Sequence, residues 1–305
     1  MTQPQSWRVA VRPSHLTHGN LLAVFAASLW GISGGCAQYL FQRKGISIDW
    51  LVSIRLLVAG MVLLVYARAQ GMPVLAIWHN RSSAWQMLAF GVLGMLGVQY
   101  TYFAVIEASN AATGTVLQYL GPTVIVTYLA LRQRRWPLRL ELLALVLALL
   151  GTVLLVTHGD LGVLHISPRA LFWGLSSACA LAFYTVQPVR LLQHHPATLV
   201  VGWGMLTGGV VSMLWSRPWQ VPGVWDSGTV MAVLFVVFLG TLVAFQAYLL
   251  AVQRIGPQRS SLLACAEPLS AALVAVAWLD VPFGSMDVLG SVCIVGTIFV
   301  LSRKR

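Results

Sequence analysis

Apolar runs of about twenty residues recur along this chain, divided by short polar turns rich in Gly, Pro, Arg and His. A helix needs roughly 20 predominantly apolar residues to cross the hydrocarbon core of a bilayer, and fewer where it is short or broken. Ten stretches fit that description, at about 20–41, 49–68, 84–106, 111–131, 140–157, 169–188, 196–216, 228–252, 258–279 and 285–302. The turns between them include Asn110, the Arg132 to Pro137 run, Pro168, His194-His195-Pro196, Gly256-Pro257 and Pro282-Phe283-Gly284, residue types that end helices. No interval is long enough to hold a soluble domain. The expected fold is an all-α integral membrane protein of ten transmembrane helices.

One stretch is said twice. Residues 97–122, GVQYTYFAVIEASNAATGTVLQYLGP, have a counterpart at 243–268, VAFQAYLLAVQRIGPQRSSLLACAEP. At an offset of 146, Tyr102 falls on Tyr248, Leu117 on Leu263 and Pro122 on Pro268. Three identities carry little alone. The shared layout carries more: an apolar run with aromatics, a polar turn, then a small-residue helix interrupted by proline. Ten helices divided at this repeat give five plus five. An odd number per half turns the second half over, so the expected architecture is an inverted repeat around a central site. The expected organisation is a cytoplasmic segment at 1–19, five-helix halves at 20–160 and 161–302, and a basic tail at 303–305.

Composition agrees with the pattern. Hydrophobic residues make up 58% of the 305 and charged residues 9%, with mean hydropathy +0.80; soluble domains carry about 25% charged residues. The net charge of +11 has no basic helix or stacking motif beside it, so no nucleic-acid partner is expected. Loop charge instead reads as topology. With the N-terminus inside, fourteen Lys and Arg residues fall in inner segments and four in outer ones. Both termini are therefore expected in the cytoplasm. The cluster Arg132, Arg134, Arg135 and Arg139 acts there as a topology determinant. Cys36, Cys179, Cys265 and Cys293 all lie in apolar runs and read as packing residues.

Four motifs make the chain resemble the EamA-type transporters of the drug/metabolite transporter superfamily. They are Leu29-Trp30-Gly31 in the first run, the segment from Ser53 to Gly60 in the second, Tyr248-Leu249-Leu250-Ala251 leading to Glu267-Pro268, and Leu289-Gly290 leading to Gly296-Thr297. The similarity covers nearly the whole chain. That family often has a Gly-Glu pair after its fourth and ninth helices; here Gln133-Arg134-Arg135 and Leu279-Asp280 stand in those places. The resemblance implies export or exchange of small metabolites, commonly amino acids, without ATP hydrolysis by the chain.

Glu267 is the sharpest candidate for chemistry. It lies near the middle of the ninth run, where a carboxylate costs on the order of 3 kcal/mol and is explained by function or by a partner. Its helix face, with Ser260, Ala264 and Ser270, is small and polar. Two readings stand: a proton-coupled substrate site, or a structural acid bonded to backbone freed by Pro268. Gln118 is its rough counterpart before Pro122, and both prolines are expected to kink their helices. Gln99, Tyr102, Gln246 and Tyr248 add polar groups on the paired third and eighth runs. Trp30, Tyr184 and Trp203 complete an expected aromatic wall suited to amphiphilic ligands. Arg55 sits some six residues into the second run, where snorkelling to headgroups is the favoured reading and pairing with an anionic group the alternative. The pairs Gly31/Gly35 and Gly204/Gly208 fit close helix packing.

The expected function is secondary transport of small organic metabolites, amino acids or related amphiphiles, by alternating access in a bacterial inner membrane. The expected partners are the substrate, the bilayer and protons as a candidate coupling ion. No metal, no cofactor and a monomeric carrier are expected. A passive facilitator or channel remains open. A membrane-embedded enzyme is disfavoured: eight acids in all, no HExxH and no phosphate-binding loop leave little to do chemistry with.

Overall fold

The computed structural model describes residues 13–109, 111–134, 136–164, 166–279 and 284–303. Asn110, Arg135, Asp280, Pro282 and Phe283 lie outside the described residues, as do most of the expected terminal segments. The described chain is helical, with no strand among the described residues. Its helices are α1 (Pro13–Lys44), α2 (Ile48–Ala69), α3 (Arg81–Ala108), α4 (Ala111–Gln118), α5 (Gly121–Gln133), α6 (Arg139–Thr157), α7 (Pro168–His194), α8 (Ala197–Ser216), α9 (Ser227–Ile255), α10 (Pro257–Leu263), α11 (Ala266–Leu279) and α12 (Ser285–Arg303). A single helical turn, Ala76–His79, lies between α2 and α3.

Among the described residues, eight helical stretches are long and apolar enough to cross a membrane, α4 and α5 counting together as one of them. Their outward sides are apolar residues with large exposed surfaces, such as Leu131, Phe172, Leu214 and Met231. Lipid is the solvent that tolerates such a surface. Several helix starts are set by side-chain caps: Ser47 accepts from the Trp50 amide, Ser167 from that of Ala170, and Asp226 from that of Thr229. Each cap satisfies an amide left over at a helix N-terminus.

Two kinds of irregularity interrupt the helices, and each occurs twice at related positions. Phe90–Leu96 within α3 and Phe235–Val243 within α9 are π-helical. Such a bulge adds a residue to a turn and re-aims every side chain after it. The Thr241 hydroxyl bridges the second one, donating to the Val236 carbonyl five residues back at 2.7 Å. The other irregularity is a break: α4 stops at Gln118 and α5 starts at Gly121, while α10 stops at Leu263 and α11 starts at Ala266. Pro122 and Pro268, both expected to kink their helices, sit just inside the second member of each pair. A proline there leaves the carbonyl four residues earlier without its helical donor.

Packing is closest where small residues meet. α2 lies along α8, α6 along α12, and α1 runs against α9 and α11. A Cβ at Gly31 would stand 2.5 Å from the Glu267 carbonyl oxygen and 2.9 Å from the Ala271 nitrogen, so only hydrogen lets α1 pass this close to α11. Gly35, its expected partner, has open space around it. Gly204 and Gly208 both pack tightly, against the Phe90 ring and the Gly91 carbonyl of the first π segment.

Candidate functional site

The two helix breaks, the turns that follow the π segments and the middle of α1 line a cavity of about 90 Å3. Its wall draws on α1, α2, α3, α4, α5, α7, α9, α10 and the start of α11. Its lining is mostly apolar with a few placed polar groups, the make-up of small-molecule sites.

The structure brings seven of the nine residues singled out from sequence to this wall: Trp30, Gln99, Tyr102, Gln118, Tyr184, Tyr248 and Glu267, with Pro122 beside them. The aromatic members touch one another. The Trp30 ring lies 5.0 Å from both Phe245 and Tyr248, and Tyr184 is 5.6 Å from Phe245 and stacks on Tyr248 at 5.8 Å. Gln118 donates to the Ser177 hydroxyl at 2.9 Å, tying α4 to α7. Thr185 gives its proton to the Leu181 carbonyl, so the 3.2 Å contact with Tyr248 is one in which the phenol donates. Tyr102 and Thr115 share a 3.0 Å bond across the α3–α4 turn. Three wall atoms have no hydrogen-bond partner among the described residues: Trp30 Nε1, Gln99 Oε1 and the Tyr184 hydroxyl.

Trp203 and Gln246 are not brought to the cavity. Trp203 donates through its indole to the Val74 carbonyl at 2.8 Å and packs edge-on against Trp78, pinning the α2–α3 connection to α8. Gln246 donates to Thr198 at 2.8 Å, joining α9 to α8. The reason is rotational. Two residues along a helix turn a side chain about 200°, so Gln246 and Tyr248 point to different neighbours. Pro268 does not line the wall, although the break it shapes does.

Glu267 is half-buried and stands at the second break. The Tyr119 hydroxyl lies 3.1 Å from its Oε2 and 2.7 Å from the Ala264 carbonyl oxygen. Ala264 is the residue whose helical donor Pro268 removes. Its carbonyl is supported from within the chain by the Glu267 amide at 2.9 Å and across the cavity by Tyr119. Both readings of Glu267 thus meet at one place: its carboxyl lines the cavity and also belongs to the network around the freed carbonyl. Tyr119 escaped sequence reading, although it stands three residues before Pro122 in the repeated stretch.

Arg55 corrects an expectation. Snorkelling requires a side chain that reaches a membrane surface, but Arg55 is only 6% exposed and lines the cavity. Its Nε donates to the Thr241 hydroxyl at 2.8 Å, and its guanidinium carbon lies 5.8 Å from the Phe103 ring centre and 5.9 Å from that of Phe245. Thr241 can accept because its own proton goes to Val236 inside the π segment. The signal for this in the sequence was a lone cation one and a half turns inside an apolar run.

Comparison with known proteins places this geometry. The chain matches the EamA-like transporter family twice, over residues 17–157 and 168–303. It is 42% identical over 290 residues to a Salmonella typhimurium protein described as the uncharacterized inner membrane transporter YicL, covering 94% of this chain and 97% of that one. It is 23% identical over 296 residues to the uncharacterized transporter YwfM of Bacillus subtilis, covering 93% and 94%. A solved crystal structure superposes with TM-score 0.77 at 21% identity, covering 93% of this chain and 96% of the other, a likeness of fold. With two matches that together take in nearly all of the chain, this membrane protein belongs to the EamA-like transporter family.

Proposed function

We propose that the chain is a secondary transporter, an exporter or exchanger, of small organic metabolites such as amino acids or related amphiphiles, which bind in the central cavity and cross by alternating access. The observation that carries the reading is the origin of the wall: Trp30, Arg55, Gln99, Tyr102, Gln118 and Tyr119 come from the first family match, and Tyr184, Phe245, Tyr248 and Glu267 from the second. A site shared by two halves opens to one side or the other as the halves rock. On this reading α4 with α5, and α10 with α11, each act as one broken span. The chain then has ten spans in a 5+5 inverted repeat, and the paired breaks and paired π segments support it. The excess of inner Lys and Arg supports cytoplasmic termini, and the name of the Salmonella relative supports an inner-membrane location.

A second element of the proposal is proton coupling through Glu267, favoured by the count of protons around Tyr119. A phenol has one proton, and here two oxygens lie within reach of it. A protonated Glu267 can donate to Tyr119 while Tyr119 donates to Ala264. An ionised Glu267 competes for the same phenol proton and weakens the support of the freed carbonyl. Proton loss at the carboxyl thereby loosens the α10–α11 break.

The test is substrate counterflow in proteoliposomes holding the purified protein, with a panel of amino acids and amphiphilic metabolites and with or without an imposed proton gradient. Saturable, counterflow-competent uptake is expected. Flux that never saturates points to a channel and contradicts the reading.

A further inference from the structure

Arg55 is a buried cation in a cavity whose lining holds one carboxyl, that of Glu267. Among the described residues no carboxylate forms an ion pair with it. Among those same residues its hydrogen-bond partner is the Thr241 hydroxyl, and its guanidinium carbon lies over the rings of Phe103 and Phe245 at 5.8 and 5.9 Å. An intramembrane charge of this kind is costly and persists where a partner arrives during function. These contacts hold the cation without neutralising it: Thr241 accepts from Nε, and the two rings attract the charge through their π faces.

From this we infer that the cavity takes a small organic monocarboxylate and that Arg55 binds its carboxylate through the guanidinium nitrogens that Thr241 does not engage. The inference rests on the transporter reading and gives that site a substrate class. A guanidinium is a planar fork that matches a carboxylate with two parallel hydrogen bonds. With Glu267 protonated, the single cation of the cavity offsets a single negative charge, which disfavours phosphate esters that carry more than one. The rest of the wall fits the rest of such a molecule. Trp30, Tyr184, Phe245 and Tyr248 form an aromatic surface for an apolar body, and the wall residues Trp30, Gln99 and Tyr184 each carry a buried polar atom without a partner among the described residues.

Thr241 is then a positioning residue. Its hydroxyl is held by the π-helical turn of α9, so removal of that hydroxyl frees the guanidinium to rotate between its two rings without changing its charge.

The experiment uses matched pairs of compounds that differ only in charge: phenylacetate and phenylacetamide, 4-methylpentanoate and its amide, leucine and leucinamide. Binding to the purified protein is read by calorimetry and thermal shift, and transport by counterflow. The wild type is expected to bind the acid of at least one pair about 10- to 100-fold more tightly than its amide, from the strength of charge-assisted hydrogen bonds. Arg55→Gln should bind acid and amide alike. Arg55→Lys should keep part of the preference, since it keeps the charge but loses the fork. Thr241→Val should weaken acid binding several-fold and leave amide binding unchanged. The ligand-free Arg55→Gln protein should melt no lower than wild type, because it loses a buried charge that had no ionic partner. Amides bound as tightly as acids, or amines carried while no acid is, would overturn the Arg55 assignment and leave the transporter reading standing. If no compound in a broad panel binds or moves, the transporter reading falls and this inference falls with it.

Discussion

The hydroxyl of Tyr119 reaches across the cavity to the carbonyl oxygen of Ala264 at 2.7 Å. Each of the two residues stands at a helix break, one between α4 and α5 and the other between α10 and α11. The bond therefore joins the two helix breaks to each other. In a bilayer a freed carbonyl has no water to turn to, and broken helices persist only where protein or a cavity re-satisfies them.

Tyr119→Phe removes that support and keeps the ring. Loss of one buried hydrogen bond costs about 1 kcal/mol, so the melting temperature of the detergent-solubilised protein should fall by about 2–4 °C. An unchanged melting temperature would show that the Glu267 amide satisfies Ala264 by itself.

Glu267→Gln keeps size and hydrogen bonding but cannot lose a proton at this position. Counterflow at equal pH should persist, while acceleration by an imposed proton gradient should disappear. A gradient response equal to that of the wild type would make Glu267 a structural acid. Because Tyr119 and Glu267 touch, the double variant should cost less stability than the two single changes added together.

Gly31→Ala and Gly35→Ala form a matched pair on α1. The first places a methyl group against the backbone of Glu267 and Ala271, where neither atom belongs to a movable side chain. Overpacking of this kind costs about 1–3 kcal/mol. The second meets nothing and should leave stability equal or slightly higher, since glycine in a helix is unfavourable relative to alanine by about 0.5–1 kcal/mol. Equal losses for both would contradict the α1–α11 crossing described above.

Much of this was legible in the sequence, for identifiable reasons. Length and hydropathy locate the helices because lipid demands long apolar runs. Pro122 and Pro268 mark the breaks because proline acts locally. Glu267 declares itself because a carboxylate in an apolar run is rare. The features that escaped depend on rotation and on distant neighbours. The π segments at Phe90 and Phe235 are apolar but for Thr241, and nothing in their residues announces the widened turn that re-aims the side chains beyond it. Trp203 and Gln246 have the composition of site residues and face other helices. Arg55 lies where a snorkelling residue would lie, and only the packing of α2 against α8 and of Thr241 beside it turns it inward.

Outside the membrane, Asp226 closes the loop that precedes α9. It pairs with Lys44 and accepts from the Thr229 amide at 2.8 Å. The Lys44 ammonium first, and then the Thr229 bonds, hold its carboxyl below the usual carboxylate range. A carboxyl lowered in this way stabilises the folded protein fully above its unfolded value, about 3.9, and the contribution fades as pH falls below that. Asp226→Asn should therefore lower the melting temperature near neutral pH and make it less sensitive to acid between about pH 4 and 3. Parallel melting curves for the two proteins across that interval would contradict the pairing.

Alternating access, as proposed above, requires that each face of the membrane reach the cavity in turn. Gly34 lines that cavity and has open space where a side chain would go. Gly34→Cys, in a protein whose four native cysteines have been replaced, can be labelled with a membrane-impermeant maleimide from outside in intact cells and from inside in inverted vesicles. The account predicts labelling from both sides, with substrate shifting the ratio between them. Labelling from one side only, whatever the substrate or gradient, would contradict alternating access through this site.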